Sequence, residues 1–142
     1  MDNINYFSYD WFSYTQIKVE GIGLNIFLNK KILIYGLGKS GLSTFKFLKN
    51  KCDIFLYDDY SLQIKSLEVK KNLVNYKNIF KLKFDVIILS PGIDINKCKL
   101  SKYLKKNQNK IYSDLDVFFS FFKNRCITIT GTNGKSTTCQ LL

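Results

Sequence analysis

Lys31-Ile32-Leu33-Ile34-Tyr35-Gly36-Leu37-Gly38-Lys39-Ser40-Gly41 is an apolar run that breaks into a glycine turn. Residues 31–35 are short and rich in branched apolar side chains, which predicts a buried strand. From Leu42 to Lys49 the apolar residues fall at Leu42, Phe45 and Leu48, with Phe47 beside them, as on one face of a helix. Strand, Gly-x-Gly-x-x-Gly, then helix is the context in which such a turn takes up a nucleotide phosphate. Gly36 permits the turn, Gly38 leaves room for a phosphate against the backbone, and Gly41 lets helix and strand approach closely. Asp58, seventeen residues beyond Gly41, closes the strand Asp53–Tyr57, where a carboxylate can meet a ribose or a base. Loops of this kind serve NAD, FAD or UDP-sugars, and some are only tight turns.

The same alternation continues downstream. Ser61–Asn72 is expected to be a helix with Leu62, Leu67 and Val69 in the core. Phe84–Leu89 is another buried strand, ending at Ser90-Pro91-Gly92, which holds the only proline of the chain. A helix is expected over Cys98–Lys106 and a short strand over Lys110–Tyr112. Ser113 with Asp116 three residues on is an N-cap with an acidic partner, opening an aromatic-rich helix to about Phe122. A last strand is expected over residues 126–130. Strands apolar on both faces, alternating with helices, indicate an α/β fold: a Rossmann-like parallel sheet with flanking helices.

That last strand leads into a second glycine loop, Thr130-Gly131-Thr132-Asn133-Gly134-Lys135-Ser136-Thr137-Thr138. Backbone N–H groups around Gly131, Thr132, Asn133 and Gly134 suit phosphate oxygens, Lys135 brings an ammonium, and the Ser136 hydroxyl can reach a Mg²⁺ ion. The loop departs from the common Gly-x-x-x-x-Gly-Lys-Ser/Thr form, because Ile129 stands five residues before Gly134. Only a stub of the helix that should follow precedes Leu142. The chain is therefore expected to be the front piece of a larger ATP-using protein, cut just inside its second domain, with Lys135 as the catalytic candidate.

The composition is that of a globular chain: 142 residues, 46% of them hydrophobic. The net charge is +11, yet every basic residue except Arg125 is Lys, the lysines are dispersed, and alanine is absent. Residues of A/T-rich codons account for that balance better than a nucleic-acid surface does, so no nucleic-acid partner is expected. Cys52, Cys98, Cys126 and Cys139 show no paired spacing and there is no histidine, so a soft-metal site is not expected. Reduced cysteines fit a cytoplasmic protein. No signal peptide or run of membrane-spanning length is apparent, so no membrane association is expected. Residues 1–29, crowded with Tyr and Phe but without period, are expected to be a poorly ordered leader.

The motifs Gly36-Leu37-Gly38-Lys39-Ser40-Gly41, Ser90-Pro91-Gly92-Ile93, Ser113-Asp114-Leu115-Asp116 and Gly131-Thr132-Asn133-Gly134-Lys135 occur in an order and spacing that resembles the Mur ligase family, over about residues 30–142. The first two point to its D-glutamate-adding branch. The alanine-adding relatives would more typically carry His at position 133, and folylpolyglutamate synthases lack the first loop. The resemblance implies a UDP-substrate domain over residues 30–123 and the start of a central ATP-binding domain over 124–142. It implies that the Lys39-Ser40-Gly41 amides, with Gly36 and Gly38, hold the diphosphate of UDP-N-acetylmuramoyl-L-alanine. Gly92 would lie beside the uracil, with Asp58 and Asp59 at the same strand end. The family often has Thr and Arg right after the first Asp; this chain has Asp59 and Tyr60.

It further implies ATP and Mg²⁺ at Gly131 to Thr137, with Ser136 toward the metal. The reaction would be ATP-driven amide formation with D-glutamate, in peptidoglycan synthesis, by a monomer. The remaining parts of the site would lie beyond Leu142, leaving this piece without turnover. Alternatives are another member of the family, an NAD-dependent dehydrogenase using Gly36–Gly41 and Asp58, or a basic nucleotide- or RNA-binding module.

Overall fold

Apolar side chains on both faces drive Ile32, Leu33, Ile34 and Tyr35 to the centre of the molecule, where each is fully buried. In the computed structural model, which describes residues 25–60, 66–122, 129 and 131–141, they form β1 (Lys31–Tyr35). β2 (Asp53–Tyr57), β3 (Val86–Leu89) and β4 (Ile111–Tyr112) join it in one sheet of order β2-β1-β3-β4. Every pairing is parallel, with Ile32 opposite both Ile54 and Val86, and Ile87 opposite Ile111. Residues 1–24 of the expected leader, 61–65 of the expected second helix, and the expected strand 126–130 apart from Ile129 lie outside the described residues.

Two helical layers cover the sheet. On one face Ile32, Ile34, Leu56 and Ile88 meet Phe45 and Leu48 of α1 (Lys39–Leu48) and Val117 of α5 (Asp114–Phe121). On the other, Leu33, Tyr35 and Ile87 meet Ile79 of α3 (Tyr76–Ile79) and Leu104 of α4 (Ser101–Lys106). The one-residue alternation along β1 sends neighbouring side chains to opposite layers. Within the expected leader, Phe27 packs into the first layer and Asn25 ties the segment to α5. Phe27 is fully buried, its ring edge-to-face on Tyr112, and the Asn25 amide donates to the Ser120 carbonyl at 3.0 Å.

Several elements differ from expectation in their bounds. α1 begins at Lys39, three residues before Leu42, because Gly38 already stands as its N-cap. Of the helix expected over 61–72, the described part is α2 (Leu67–Lys71). Ser66 is extended and its hydroxyl accepts from the Val69 N–H, which starts the helix there. Leu67, expected in the core, is 76% exposed, whereas Val69 is buried. Leu73 then bridges to Leu56 and α3 follows, neither of which sequence periodicity announces. Pairing of β3 starts at Val86, two residues later than expected, and α4 starts at Ser101 rather than Cys98. The Ser113 cap is present in full. Asp116 N donates to Ser113 Oγ at 3.2 Å, and Ser113 N donates to Asp116 Oδ2 at 2.6 Å.

The strand order reverses beside β1: the chain passes from β1 out to β2, then returns across it to β3. Crevices at such a reversal, beyond the strand C-termini, are where open α/β sheets take ligands. The turns that meet there are Gly36–Gly41 after β1 and Ser90–Gly92 after β3.

Candidate functional site

The site is built from the backbone of the first glycine turn. Gly36 has φ +97, a conformation that disfavours any side chain, and a Cβ there would stand 2.7 Å from Ser90 Cβ. A Cβ on Gly41 would lie 1.9 Å from the Gly36 carbonyl oxygen, so α1 can start this close to β1 only with glycine at that position. Gly38 and Gly92 are different: a Cβ on either meets nothing within 4 Å. Gly36 and Gly41 are buried, whereas Gly38, Lys39 and Gly92 are exposed, so the turn is packed below and open above.

The first N–H groups of α1 face that opening. A helix leaves its first-turn amides without intrahelical acceptors, and here Gly38 supplies no side-chain cap and no acidic residue stands in the first turn. The amides of Lys39, Ser40 and Gly41 thus lack intrahelical acceptors at the positive end of a ten-residue helix, where Lys39 is exposed and Gly41 is buried. This arrangement can take an anion, and the free space over Gly38 lets it come to the backbone.

Neighbouring groups brace the turn. Asp58 Oδ2 accepts from Leu37 N at 2.6 Å and its Oδ1 from Tyr60 N at 2.8 Å, so one carboxylate holds both the turn and the end of β2. Asp59 turns inward, where its Oδ2 accepts from the Tyr35 hydroxyl at 3.0 Å. Burial first, then the Cys98 thiol and the Asp59 carboxylate, push the Tyr35 phenol far above its ordinary pKa. Tyr57 is raised as well, by burial and then by Asp59. The Ser40 hydroxyl donates to Asp114 Oδ2, tying the first turn of α1 to the first turn of α5. Ser90 and Asp114 stand within motifs visible in the sequence, but nothing there announces that their side chains reach the first turn, because both contacts join segments remote along the chain.

Thus Gly36, Gly38, Lys39, Ser40, Gly41, Asp58, Asp59 and Gly92 gather at one end of the sheet, with Asp58 and Asp59 engaged in bonds to the protein itself. Two open grooves lie elsewhere. One, of about 570 Å³, runs along the β2 edge past Asn72, Asn75 and Asn78; the other, of about 740 Å³, lies between Leu28 and Lys51. Neither is lined by a residue of the glycine turns. A phosphate held by backbone amides at an open rim needs no deep cavity, so the turn remains the stronger candidate.

The second loop is described from Gly131 onward. Gly131 and Gly134 both have positive φ, +149 and +78. α6 (Lys135–Leu141) starts directly after Gly134, and the Lys135 ammonium folds back to donate to the Gly131 carbonyl. Thr132, Asn133, Ser136 and Thr137 are exposed, like every residue from Gly131 to Leu141.

The family model of the Mur ligase MurD-like N-terminal domain matches residues 30–111. The chain is 36% identical over 123 residues to the UDP-N-acetylmuramoylalanine–D-glutamate ligase of Rickettsia felis, covering 84% of this chain and 27% of that protein. It is 38% identical to the ligase of the same name from Rickettsia prowazekii, with the same two coverages. To that of Wolbachia pipientis it is 34% identical, covering 84% of this chain and 25% of the relative. The chain thus spans about a quarter of the length of these curated relatives. No solved structure matches it.

Proposed function

This chain belongs to the Mur ligase family, in its MurD-like branch, and we propose that it supplies the UDP-substrate domain, over residues 30–123, of an ATP-dependent UDP-N-acetylmuramoyl-L-alanine:D-glutamate ligase. Residues 124–142 would open the ATP-binding domain. The observation that carries this reading is the glycine turn, with the uncapped first turn of α1 beside an open Gly38 at the strand-order reversal.

In this reading the amides of Lys39, Ser40 and Gly41 hold the diphosphate, with the Lys39 ammonium offsetting its charge. The rim of Asp58 and Gly92 receives the uridine, with the Asp59 carboxylate beneath it turned inward onto Tyr35. Asp58, bonded to Leu37 N and Tyr60 N, keeps the turn and the rim at a fixed spacing.

The reaction would begin when the substrate carboxylate attacks the γ-phosphate of ATP, releasing ADP and forming an acyl phosphate. The D-glutamate amine then attacks the acyl carbon, phosphate leaves, and the amine loses a proton as the amide forms. Lys135, among Gly131, Thr132, Asn133, Gly134, Ser136 and Thr137, would neutralise charge on the phosphates of ATP. The exposed hydroxyls of Ser136 and Thr137 at the start of α6 are oxygen donors of the kind Mg²⁺ accepts, so the residues present fit a partial metal site. Bound there, Mg²⁺ would supply further neutralisation of the phosphate charge. The protein would work as a cytoplasmic monomer on small-molecule substrates in peptidoglycan synthesis; among the described residues no helix is long and apolar enough to cross a membrane.

Calorimetric titration with UDP and with UDP-N-acetylmuramoyl-L-alanine tests the proposal. Saturable binding of both, lost in Gly38→Val, is the expected result. Binding of NADH with no response to uridine nucleotides would overturn it in favour of a dehydrogenase.

A further inference from the structure

We propose that Asp114 is a specificity residue of the first glycine turn, one that disfavours nucleotides ending in a free phosphate relative to a diphosphate esterified at both ends. The inference rests on the proposed UDP-substrate site and deepens it.

Asp114 is the first residue of α5, the helix that lies beside α1 on the same face of the sheet. Its carboxylate is held from two sides: Oδ2 accepts the Ser40 hydroxyl and Oδ1 accepts the Leu115 N–H at 3.0 Å. The capping box of Ser113 and Asp116 fixes the helix start that carries it. The two helices are also joined further along by the edge-to-face rings of Phe47 and Phe121, 4.9 Å apart. A carboxylate so placed cannot swing away from the turn without breaking these contacts.

Two consequences follow for an anion on the amides of Lys39, Ser40 and Gly41. First, the Ser40 hydroxyl gives its proton to Asp114, so the ligand is read by backbone N–H groups and Lys39 rather than by that hydroxyl. Second, a negative charge stands one hydroxyl away from the cradle. In a UDP-sugar neither phosphate is terminal, so neither can gain a second charge. UDP and UTP end in a phosphate whose second ionisation, at about pH 6, is essentially complete at neutral pH. Asp114 repels the two charges that all three nucleotides share and the added charge besides, so the penalty is greater for UDP and UTP. The chain carries a second loop, at Gly131–Ser136, suited to terminal phosphates, so a first loop that rejects them keeps the two nucleotides apart.

The test compares affinities of the wild-type chain and Asp114→Asn for a UDP-sugar such as UDP-N-acetylglucosamine, for UDP, UTP and uridine. Asparagine keeps the shape and removes the charge; one of the two acceptor oxygens becomes a donor amide, a change common to all four ligands that the comparison among them cancels. All three phosphate ligands should gain, UDP and UTP about fivefold more than the UDP-sugar, the effect of one further like charge in a solvated site at several Å. Uridine, which has no phosphate, should not change. Asp114→Ser, a second neutral residue suited to a first helical turn, should give the same pattern if the asparagine variant does not fold. An equal change in the UDP-sugar and in UDP, or no change in any ligand, would overturn the assignment while leaving the UDP site standing. Absence of any uridine-nucleotide binding by the wild-type chain would instead remove the functional proposal and this inference with it.

Discussion

The Ser90 hydroxyl donates to the carbonyl oxygen of Gly36 at 2.7 Å, and this bond joins the turn after β1 to the turn after β3. Ser90 Oγ also lies 3.0 Å from where a Gly41 Cβ would stand. Gly36, Gly41 and Ser90 therefore form one packed unit beneath the opening at Gly38. The two roles of the motif, building the turn and receiving a ligand, fall on different glycines.

Gly41→Ala should damage the fold. Its Cβ would overlap a backbone carbonyl 1.9 Å away, an atom that moves only if α1 shifts off the sheet. A clash of this kind costs about 3 kcal/mol or more. Thermal unfolding should show a midpoint lowered by about 10 °C or more. A midpoint within a degree or two of wild type would mean that the turn is looser than its geometry indicates.

Gly38→Val should behave in the opposite way. A Cβ at Gly38 meets nothing within 4 Å and the backbone there is extended, with φ −69, so the fold should be retained with little change in midpoint. The side chain would occupy the space above the α1 amides, and UDP affinity should fall at least about tenfold, as expected from loss of the ligand's charge-assisted bonds. Calorimetry beside the melting curve separates the two effects. Undiminished UDP affinity in a folded Gly38→Val would remove the first turn as the diphosphate site.

Alkaline pH should destabilise the protein through Tyr35 and Tyr57. Both phenols are raised above their ordinary pKa, burial being the largest cause for each. The unfolded chain therefore loses these protons first. The associated stability is fully present below about pH 10 and is lost as the pH rises beyond it. Denaturant melts across that range, read beside tyrosinate absorbance, should show buried phenols, Tyr35 and Tyr57 among them, that ionise only on unfolding. Tyr35→Phe should make the alkaline fall shallower. An unchanged fall would assign it to other groups.

The sheet is legible in the sequence because buried parallel strands are continuous apolar runs: β1 and β2 occupy the residues their patterns predict. The Ser113 cap is legible because it is local, a hydroxyl and a carboxylate three residues apart. α2 is legible in part: it falls within the helix expected over 61–72 and buries Val69, but its start is set by the Ser66 cap rather than by a period. α3 is not legible, since four residues carry too few turns for a period to emerge. The glycines of the site are legible as a motif, but their division of labour is not. It depends on Ser90 and the Gly36 carbonyl, which only the folded sheet brings beside Gly41. The inward turn of Asp59 toward Tyr35 is hidden for the same reason, since a strand-end carboxylate reads equally well as a ligand for a ribose.

Lys135→Ala should separate the two nucleotide functions. In a chain extended to the length of its relatives, this substitution should abolish nearly all ligase activity while UDP-substrate affinity stays at the wild-type value. The basis is the assignment of the first turn to the UDP end and of Lys135 to ATP. Loss of one phosphate-directed charge from a water-poor site removes several kcal/mol of transition-state stabilisation, on the order of a hundredfold or more in rate. In the 142-residue chain the same change should matter little. There Lys135 is exposed and its ammonium is spent on the Gly131 carbonyl, and every residue of α6 described beside it is exposed too. A phosphate bound there would be largely solvated, so ATP affinity should be poor before any substitution. Steady-state kinetics on the long chain and calorimetry with ATP and Mg²⁺ on the short one read both halves. Tight Mg²⁺-dependent ATP binding by the short wild-type chain would show that residues 131–141 make a complete site alone, and the solvated-loop account would fall.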